Sequence, residues 1–155
     1  MKKLYTLTVV PIFLFTLGCS KDFLKSYETR IVGRWEITEV RRAGLGGNTG
    51  SLPFTEGVFT FSEGGSMIYT NSAGNVYKGS WDIRQGETPG DCYTNDAGNQ
   101  QCDSRQIFSL QLHAIDFATQ DVRSEFFNEI IFTGTNRFRA MIYSGARTYI
   151  VHFRR

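Results

Sequence analysis

The chain has 155 residues with a formal net charge of +2, and 41% of its residues are hydrophobic. Both surplus charges belong to Lys2 and Lys3, so the part of the chain from residue 19 onward has no net charge. This balance excludes the strongly basic surface with which proteins attract nucleic acids. The length is sufficient for one domain with its own hydrophobic core.

The first 18 residues have the features of a secretory signal. Two lysines precede residues 4–17, an uncharged run of 14 residues, whereas a transmembrane helix needs roughly 20 apolar residues. Pro11 interrupts the run, which also disfavours a stable membrane helix. Gly18 supplies the small residue expected at a cleavage site. We therefore predict that residues 1–18 are a signal peptide.

The residues around this site carry a family resemblance. Thr16-Leu17-Gly18-Cys19 resembles the lipobox of bacterial lipoproteins, in which the cysteine is acylated and the chain is cut before it. The resemblance implies that Cys19 carries lipid, palmitate included, and holds the protein on a membrane of the bacterial cell envelope. Ser20 after the cysteine favours the outer membrane. Ordinary secretion with cleavage nearby, or a buried structural cysteine, is the alternative.

Residues 19–30 are predicted to be a lipidated tether that contains a short helix. Apolar side chains recur at helical spacing from Phe23 to Ile31, and Asp22 is a candidate N-cap. A flexible tether without a helix is the alternative.

From residue 31 onward, β-branched and aromatic residues form short runs between glycine-rich turns, which is typical of an all-β domain. Alternating apolar and polar residues indicate an antiparallel sheet with one buried face. Short connections predict an up-and-down meander, and closure into a barrel would remove its edges. We therefore predict that residues 31–155 form one eight-stranded antiparallel barrel. The predicted strands are 31–42, 57–62, 66–71, 75–84, 105–115, 124–134, 137–144 and 146–155.

The ends of this domain carry a second resemblance. Gly33 and Trp35 open the first strand, and the chain ends in Arg154 and Arg155. This layout resembles the lipocalin-like domains of small bacterial lipoproteins, with their G-x-W signature, over residues 31–155. The resemblance implies a tryptophan packed across the closed end of a barrel, with one of the two arginines over its ring. Ordinary core packing of Gly33 and Trp35 is the alternative.

Cys92 and Cys102 lie in one polar, glycine-bearing segment, predicted to be a loop over residues 85–104. Because an exported protein meets an oxidising compartment, we predict that the two cysteines form a disulfide. Metal binding is the rival interpretation, but histidines or a second cysteine pair are missing nearby.

Motifs for catalysis or cofactor binding are missing from the sequence. His113 and His152 have no neighbouring ligand residues at metal-binding spacing. The glycine-rich residues 44–50 lack the Lys-Ser/Thr pair and the helix of a phosphate-binding loop, and no nucleophile elbow is present. We therefore predict a protein that is not an enzyme and that uses no metal or cofactor.

Two functions remain. The first is binding of a small, mainly hydrophobic ligand inside the barrel. The second is a solid barrel, filled by residues such as Phe126 and Phe132, whose loops 43–55 and 85–104 bind a protein or a glycan of the cell envelope. The candidate ligand-lining residues are Phe108, Leu110, Leu112, Phe138, Ile142, Tyr149 and Val151.

Overall fold

The structure is a computed structural model that describes residues 25–44 and 52–155. The protein is mostly β, as predicted, and no helix in these residues is long and apolar enough to cross a membrane. A 3-10 turn at Glu63–Gly65 joins the second and third strands. The described elements are α1 (Tyr27–Ile31), β1 (Gly33–Ala43), β2 (Val58–Phe61), β3 (Ser66–Thr70), β4 (Val76–Thr94), β5 (Gln100–Ile115), β6 (Val122–Phe127), β7 (Glu129–Gly134), β8 (Arg137–Ser144) and β9 (Arg147–Arg154).

The strands form one antiparallel sheet in the order β6-β5-β4-β3-β2-β1-β9-β8-β7. From β1 to β6, and again from β7 to β9, every strand pairs with its neighbour along the chain, which confirms the predicted meander. The pairing of β1 with β9 joins the two halves and brings the two termini of the domain together.

The prediction of eight strands is wrong, because the run 124–134 is divided in two at Asn128. The Asn128 side-chain oxygen accepts a hydrogen bond from the backbone N–H of Tyr143 at 2.8 Å. Before this residue the chain pairs with β5, and after it the chain pairs with β8. One continuous segment therefore contributes two strands with different partners.

The predicted closed barrel is not formed by hydrogen bonds between the described strands. The sheet has two edges, β6 and β7, and no ladder joins them within residues 25–44 and 52–155. The edges are nevertheless close, because β5 contacts β7 and β6 contacts β8.

The short helix α1 begins later than the sequence predicts. Its N-cap is Ser26, whose hydroxyl accepts from the N–H of Thr29 at 3.3 Å. The candidate cap Asp22 and the predicted lipidation site Cys19 lie outside the described residues. Ile31 at the end of the helix is fully buried, which fixes the helix against the core.

Trp35 is fully buried where α1 meets β1, and Arg155 covers it. The indole N–H donates to the carbonyl of Ile31 at 2.6 Å, and the Arg155 guanidinium lies 4.3 Å from the ring centroid. The same guanidinium donates to the carbonyls of Arg30 and Val32. Of the two terminal arginines that the sequence left open, Arg155 is therefore the one that covers the tryptophan.

Gly33 makes this arrangement possible. Its φ is +124°, and a Cβ there would lie 3.3 Å from the Arg155 guanidinium. A larger residue would therefore strain the backbone and displace the arginine.

One hydrophobic core collects inward side chains from all nine described strands. The predicted alternation is confirmed in β8 and β9, where every second residue from Phe138 to Ile142 and from Tyr149 to Phe153 is buried. In β5 it is confirmed from Leu110 onward, whereas Phe108 is only half-buried. In β6 the prediction is wrong by one residue: Phe126 is 44% exposed, and Phe127 is fully buried. A shift of one residue exchanges the two faces of a strand. Because the chain is divided at Asn128, an alternation read through residues 124–134 as one strand assigns Phe126 to the wrong face.

Candidate functional site

The seven candidate ligand-lining residues are side chains of the core. Six of them are buried, and the seventh, Phe108, is half-buried. Phe138 stacks on Phe153 at 4.2 Å and meets Trp35 edge-on at 4.7 Å. These inward positions are thus occupied by contacts between protein side chains.

Part of the core is covered by the connection between β1 and β2, of which the structure describes residues 52–57. Phe54 is buried and packs edge-on against Phe59 and Tyr69. The Tyr69 hydroxyl donates to the Glu56 carbonyl at 2.8 Å, and Arg123 donates to the Pro53 carbonyl at 3.0 Å. The connection is therefore attached to β3 and β6 with an aromatic side chain directed inward.

Tyr77, Asp121 and Arg123 form a polar cluster beside this cover. The Tyr77 hydroxyl and the Arg123 guanidinium both donate to the Asp121 carboxylate, at 2.8 and 3.0 Å. These two hydrogen bonds lower the pKa of Asp121, and burial raises the pKa of Tyr77. Arg123 also lies 4.7 Å above the Tyr77 ring. The hydrogen-bonding groups of the three side chains are partnered within the cluster, and Arg123 also bonds to the Pro53 carbonyl. The cluster therefore holds the connection between β1 and β2 in place.

The most distinct surface feature is a long two-stranded ribbon made by β4 and β5. The last residue of β4 that pairs with β3 is Ser80, and the first residue of β5 that pairs with β6 is Leu110. From Arg84 opposite Ser109 to Thr94 opposite Gln100, the two strands pair only with each other. We call residues 84–109 the ribbon.

The predicted loop over residues 85–104 is therefore wrong, since most of it is paired β-structure. Almost every residue of this segment is exposed, on both faces of the ribbon. A strand with two exposed faces needs no apolar face, so the period of two that marks a half-buried strand is missing.

The tip of the ribbon is held by a turn and by a disulfide. Asn95 accepts hydrogen bonds from the N–H groups of Ala97 and Asn99, and Gly98 adopts a φ of +79°. Cys92 and Cys102 are bonded, which confirms the predicted bridge. The register shifts between Pro89 and Cys92, so the bridge follows a bulge.

Replacing Cys92 and Cys102 together by serine should lower the free energy of unfolding by about 2–3 kcal/mol at most. The bridge closes a segment with a sequence separation of only 10, and the core side chains lie elsewhere. Urea unfolding measures the loss, and near-UV circular dichroism should stay that of a folded core. A double variant that is unfolded in buffer would contradict this role.

An ion pair between Arg105 and the buried carboxylate of Glu129 anchors the base of the ribbon to β7 and β8. Arg105 donates two hydrogen bonds to the Glu129 carboxylate, at 2.8 and 3.1 Å, and the Tyr143 hydroxyl donates a third at 2.9 Å. Glu129 is only 4% exposed. Burial, and then the hydrogen bond to Glu129, raise the pKa of Tyr143. The bidentate geometry fixes the direction in which the ribbon leaves the sheet.

An aromatic contact completes the base. Phe108 stacks on Tyr27 of α1 at 3.8 Å, and Tyr27 meets Phe132 edge-on at 5.2 Å. Arg30 lies 4.1 Å above the Phe132 ring. The helix α1 therefore contacts the base of the ribbon.

Arg105→Ala should destabilise the protein by about 1.5 kcal/mol, because a buried carboxylate loses two charge-assisted hydrogen bonds. The value is at the low end for such bonds, since the Arg105 side chain is itself 58% exposed. Urea unfolding gives the loss, and amide exchange should quicken in residues 100–107.

Arg84→Ala is the matched control for this change, since it removes an exposed ribbon arginine that pairs with an exposed Asp82. Its effect should stay within about 0.5 kcal/mol. Equal effects of the two substitutions would show that the Glu129 pair does not anchor the ribbon.

Between Arg84 and Arg105, the ribbon carries charge of one sign. Residues 85–104 contain four acidic residues and no lysine or arginine. Tyr93, near the tip, is 46% exposed and offers a large amphipathic ring. The ribbon thus combines an acidic field, one exposed aromatic and a locked tip.

The two histidines are not gathered with metal ligands. His113 bridges the side chains of Gln111 and Ser124 through its two ring nitrogens, at 2.8 and 2.9 Å. No group of three or more His, Cys, Asp or Glu side chains in the described ranges could hold a metal ion. Comparisons of this chain with protein-family models, with curated proteins and with solved structures found no match.

Sequence reasoning missed Glu129 and its partners Arg105 and Tyr143. The signal that could have found the anchor is the lone acidic residue at the start of the apolar run Glu129–Gly134, where a charge needs a partner when it is buried.

Proposed function

We propose that this protein is a non-catalytic interaction module of the bacterial cell envelope, anchored by lipid at Cys19, that binds its partner through the ribbon. The observation that carries the proposal is the ribbon itself, a paired arm beyond the sheet with a disulfide near its tip. A locked arm loses little conformational entropy on binding, which favours recognition.

The filled interior supports this function over a ligand inside the domain. A carrier needs a cavity lined by apolar groups, whereas the inward side chains here stack on one another from Trp35 to Phe153. Trp35 and Phe54 are themselves buried, at 0% and 1% exposure.

We also interpret the domain as a lipocalin-like barrel whose seam runs between β6 and β7. Support comes from the cation–π contact of Arg155 on Trp35 behind Gly33 and from edges that are separated along the chain by Asn128 alone. In this interpretation β6 and β7 count as one strand over residues 122–134, which gives eight strands in total. This strand pairs with β5 in its first half and with β8 in its second.

The chemistry of the ribbon defines the partner. Its two arginines, Arg84 and Arg105, pair with Asp82 and Glu129. The four carboxylates of residues 85–104 attract a surface that presents basic groups or hydrogen-bond donors. Such a surface belongs to a protein or to an amino-bearing glycan of the envelope. Because the ribbon is exposed, binding should weaken as the salt concentration rises.

A shortened ribbon tests the proposal. Replacing residues 89–104 by Asn-Gly joins the facing residues Thr88 and Arg105 through a two-residue hairpin turn and keeps the Glu129 anchor. The full chain should capture a saturable partner from solubilised envelope of the native host, and the shortened chain should not. Equal capture by both chains would refute binding through the ribbon.

Cys19→Ala should release the protein from the membrane, because each buried CH₂ of an acyl chain contributes about 0.8 kcal/mol to membrane binding. Mass spectrometry of the wild-type amino terminus should find an acylated cysteine at residue 19. Unchanged membrane attachment of the variant, or an unmodified Cys19, would overturn the anchor.

A further inference from the structure

A groove on the outer face of β1, β9 and β8 is explained neither by the core nor by the ribbon. Its volume is about 340 Å³. Four basic side chains line it, namely Arg137, Arg139, His152 and Arg154, together with Glu39, Thr38 and Thr133. We call it the arginine groove.

The register of the sheet places like charges opposite each other in this groove. Arg137 on β8 pairs directly with Arg154 on β9, and Arg139 pairs with His152. Like charges at directly opposite positions destabilise a sheet. On β1, Glu36 lies opposite Arg154 and Glu39 lies opposite His152, which offsets part of the repulsion. On β7, Arg137 and Arg139 pair only with Gly134 and Ile131, so their charges are not offset from that side. The like-charge pair of Arg137 and Arg154 remains a local conflict of the kind that is typical of a functional position.

The guanidinium groups of the groove have no ion-pair partner among the described residues. In the described part of the chain, Arg137, Arg139 and Arg154 form no side-chain ion pair or hydrogen bond. The Nε of Arg139 is buried and has no hydrogen-bond partner. A buried donor without a partner is costly, so this atom calls for an acceptor.

The acidic residue that borders the groove is already engaged. The Glu39 carboxylate accepts from the Nε of Arg41 at 2.6 Å, so the two charges offset each other. Glu36, which pairs with Arg154 from β1, makes no ion pair with it in the part of the chain that is described. Three positive charges therefore face an open groove.

We propose that the arginine groove binds phosphate groups. Guanidinium forks match the oxygens of a phosphate in bidentate geometry, which a single ammonium cannot do. Neighbouring strands are about 4.8 Å apart, and alternate residues on one strand are about 6.6 Å apart, so the four side chains can surround one or two phosphate groups.

The phosphate can come from a lipid headgroup or from a soluble phosphate compound, and both offer the same oxygens. The groove begins at the end of the sheet where Arg155 bonds to the Asn136 and Arg30 carbonyls, beside α1. If Cys19 is anchored as proposed above, the six residues before Lys25 span at most about 20 Å, and lipid headgroups are within reach. The soluble source does not depend on that anchor.

Calorimetric titration of the full chain in nonionic detergent tests the proposal. The probes are inorganic pyrophosphate, micelles doped with phosphatidic acid, and micelles doped with phosphatidylcholine, which lacks a terminal phosphate. Arg137→Gln and Arg139→Gln should each weaken binding of pyrophosphate or phosphatidic acid about tenfold, the effect of one lost charge-assisted contact. Arg147→Gln removes an equal charge outside the groove and should change the affinity less than about twofold.

A second readout separates a binding role from a structural one. Arg137→Gln removes the like-charge pair, so it should raise the unfolding temperature of the unliganded protein while it lowers the affinity. Arg139→Lys keeps the charge and should recover only part of the affinity, because the fork is lost.

Binding of pyrophosphate alone assigns the groove to soluble phosphates, and binding of phosphatidic acid alone assigns it to lipid headgroups; both support the proposal. The proposal is overturned if neither probe binds, if phosphatidylcholine binds equally well, or if Arg147→Gln weakens binding as much as Arg139→Gln.

Discussion

Replacing Trp35 by alanine should lower the free energy of unfolding by about 3–5 kcal/mol, the usual loss for a buried tryptophan. The substitution empties the space between α1 and Phe138 and removes the donor to the Ile31 carbonyl. It also leaves the Arg155 guanidinium without the ring that it covers. Urea unfolding followed by far-UV circular dichroism measures the loss.

Trp35→Phe is the matched control, since it keeps an aromatic ring and removes only the indole N–H and part of the volume. The loss should be smaller, about 1–3 kcal/mol, because the Ile31 carbonyl becomes a buried acceptor without its donor. If Trp35→Ala were as stable as the wild type, the tryptophan would not hold the end of the domain together, and the comparison of this end with lipocalin-like proteins would fail.

Phe138→Ala should also cost about 3–5 kcal/mol, because the ring leaves a cavity among large aromatic neighbours. Phe138 is 1% exposed and contacts Trp35, Phe132 and Phe153. A dry apolar cavity of this kind can take up benzene or xenon. The variant should therefore gain stability from benzene, whereas the wild type should not.

The control for Phe138 is Phe117→Ala, since Phe117 is 70% exposed and its loss should change stability within about 0.5 kcal/mol. The opposite result would also be informative. A Phe138→Ala variant of nearly normal stability that lost a copurifying apolar molecule would show that Phe138 lines a ligand cavity, and it would restore the first of the two functions.

Much of the fold could be predicted because burial on one face leaves a pattern in the sequence. In β8, Phe138, Ala140 and Ile142 alternate with polar or long side chains, and the structure buries these three residues. The helix could be predicted for the same reason, because its apolar residues recur at helical spacing. Its N-cap could not, because Asp and Ser are both good N-caps, and the hydrogen bond that identifies Ser26 is known only from the structure.

The division at Asn128 could not be predicted, since it depends on a partner far along the chain. The sequence near Asn128 contains no signal that its side chain accepts a hydrogen bond from the backbone of Tyr143. Without that bond, residues 124–134 are expected to be one strand, and the face of Phe126 is assigned incorrectly. Tertiary contacts of this kind override the local period.

The candidate site was less visible than the fold. The bridge between Cys92 and Cys102 followed from cysteine content and compartment, and it is confirmed. The paired ribbon around it has no apolar face, so its strands could not be distinguished from a loop. Its anchor joins Arg105 to Glu129, a pairing set by the three-dimensional path of the chain.

The most direct test of the central claim is site-specific crosslinking from the ribbon in cells of the native host. A photoreactive diazirine amino acid replaces Tyr93 on the ribbon or, as the control, Val76 on the sheet, two positions of nearly equal exposure at 46% and 48%. Binding through the ribbon predicts one saturable adduct from position 93, competed by excess full chain and not by the chain with the shortened ribbon. Adducts of equal yield from both positions, or an adduct from position 76 alone, would contradict it.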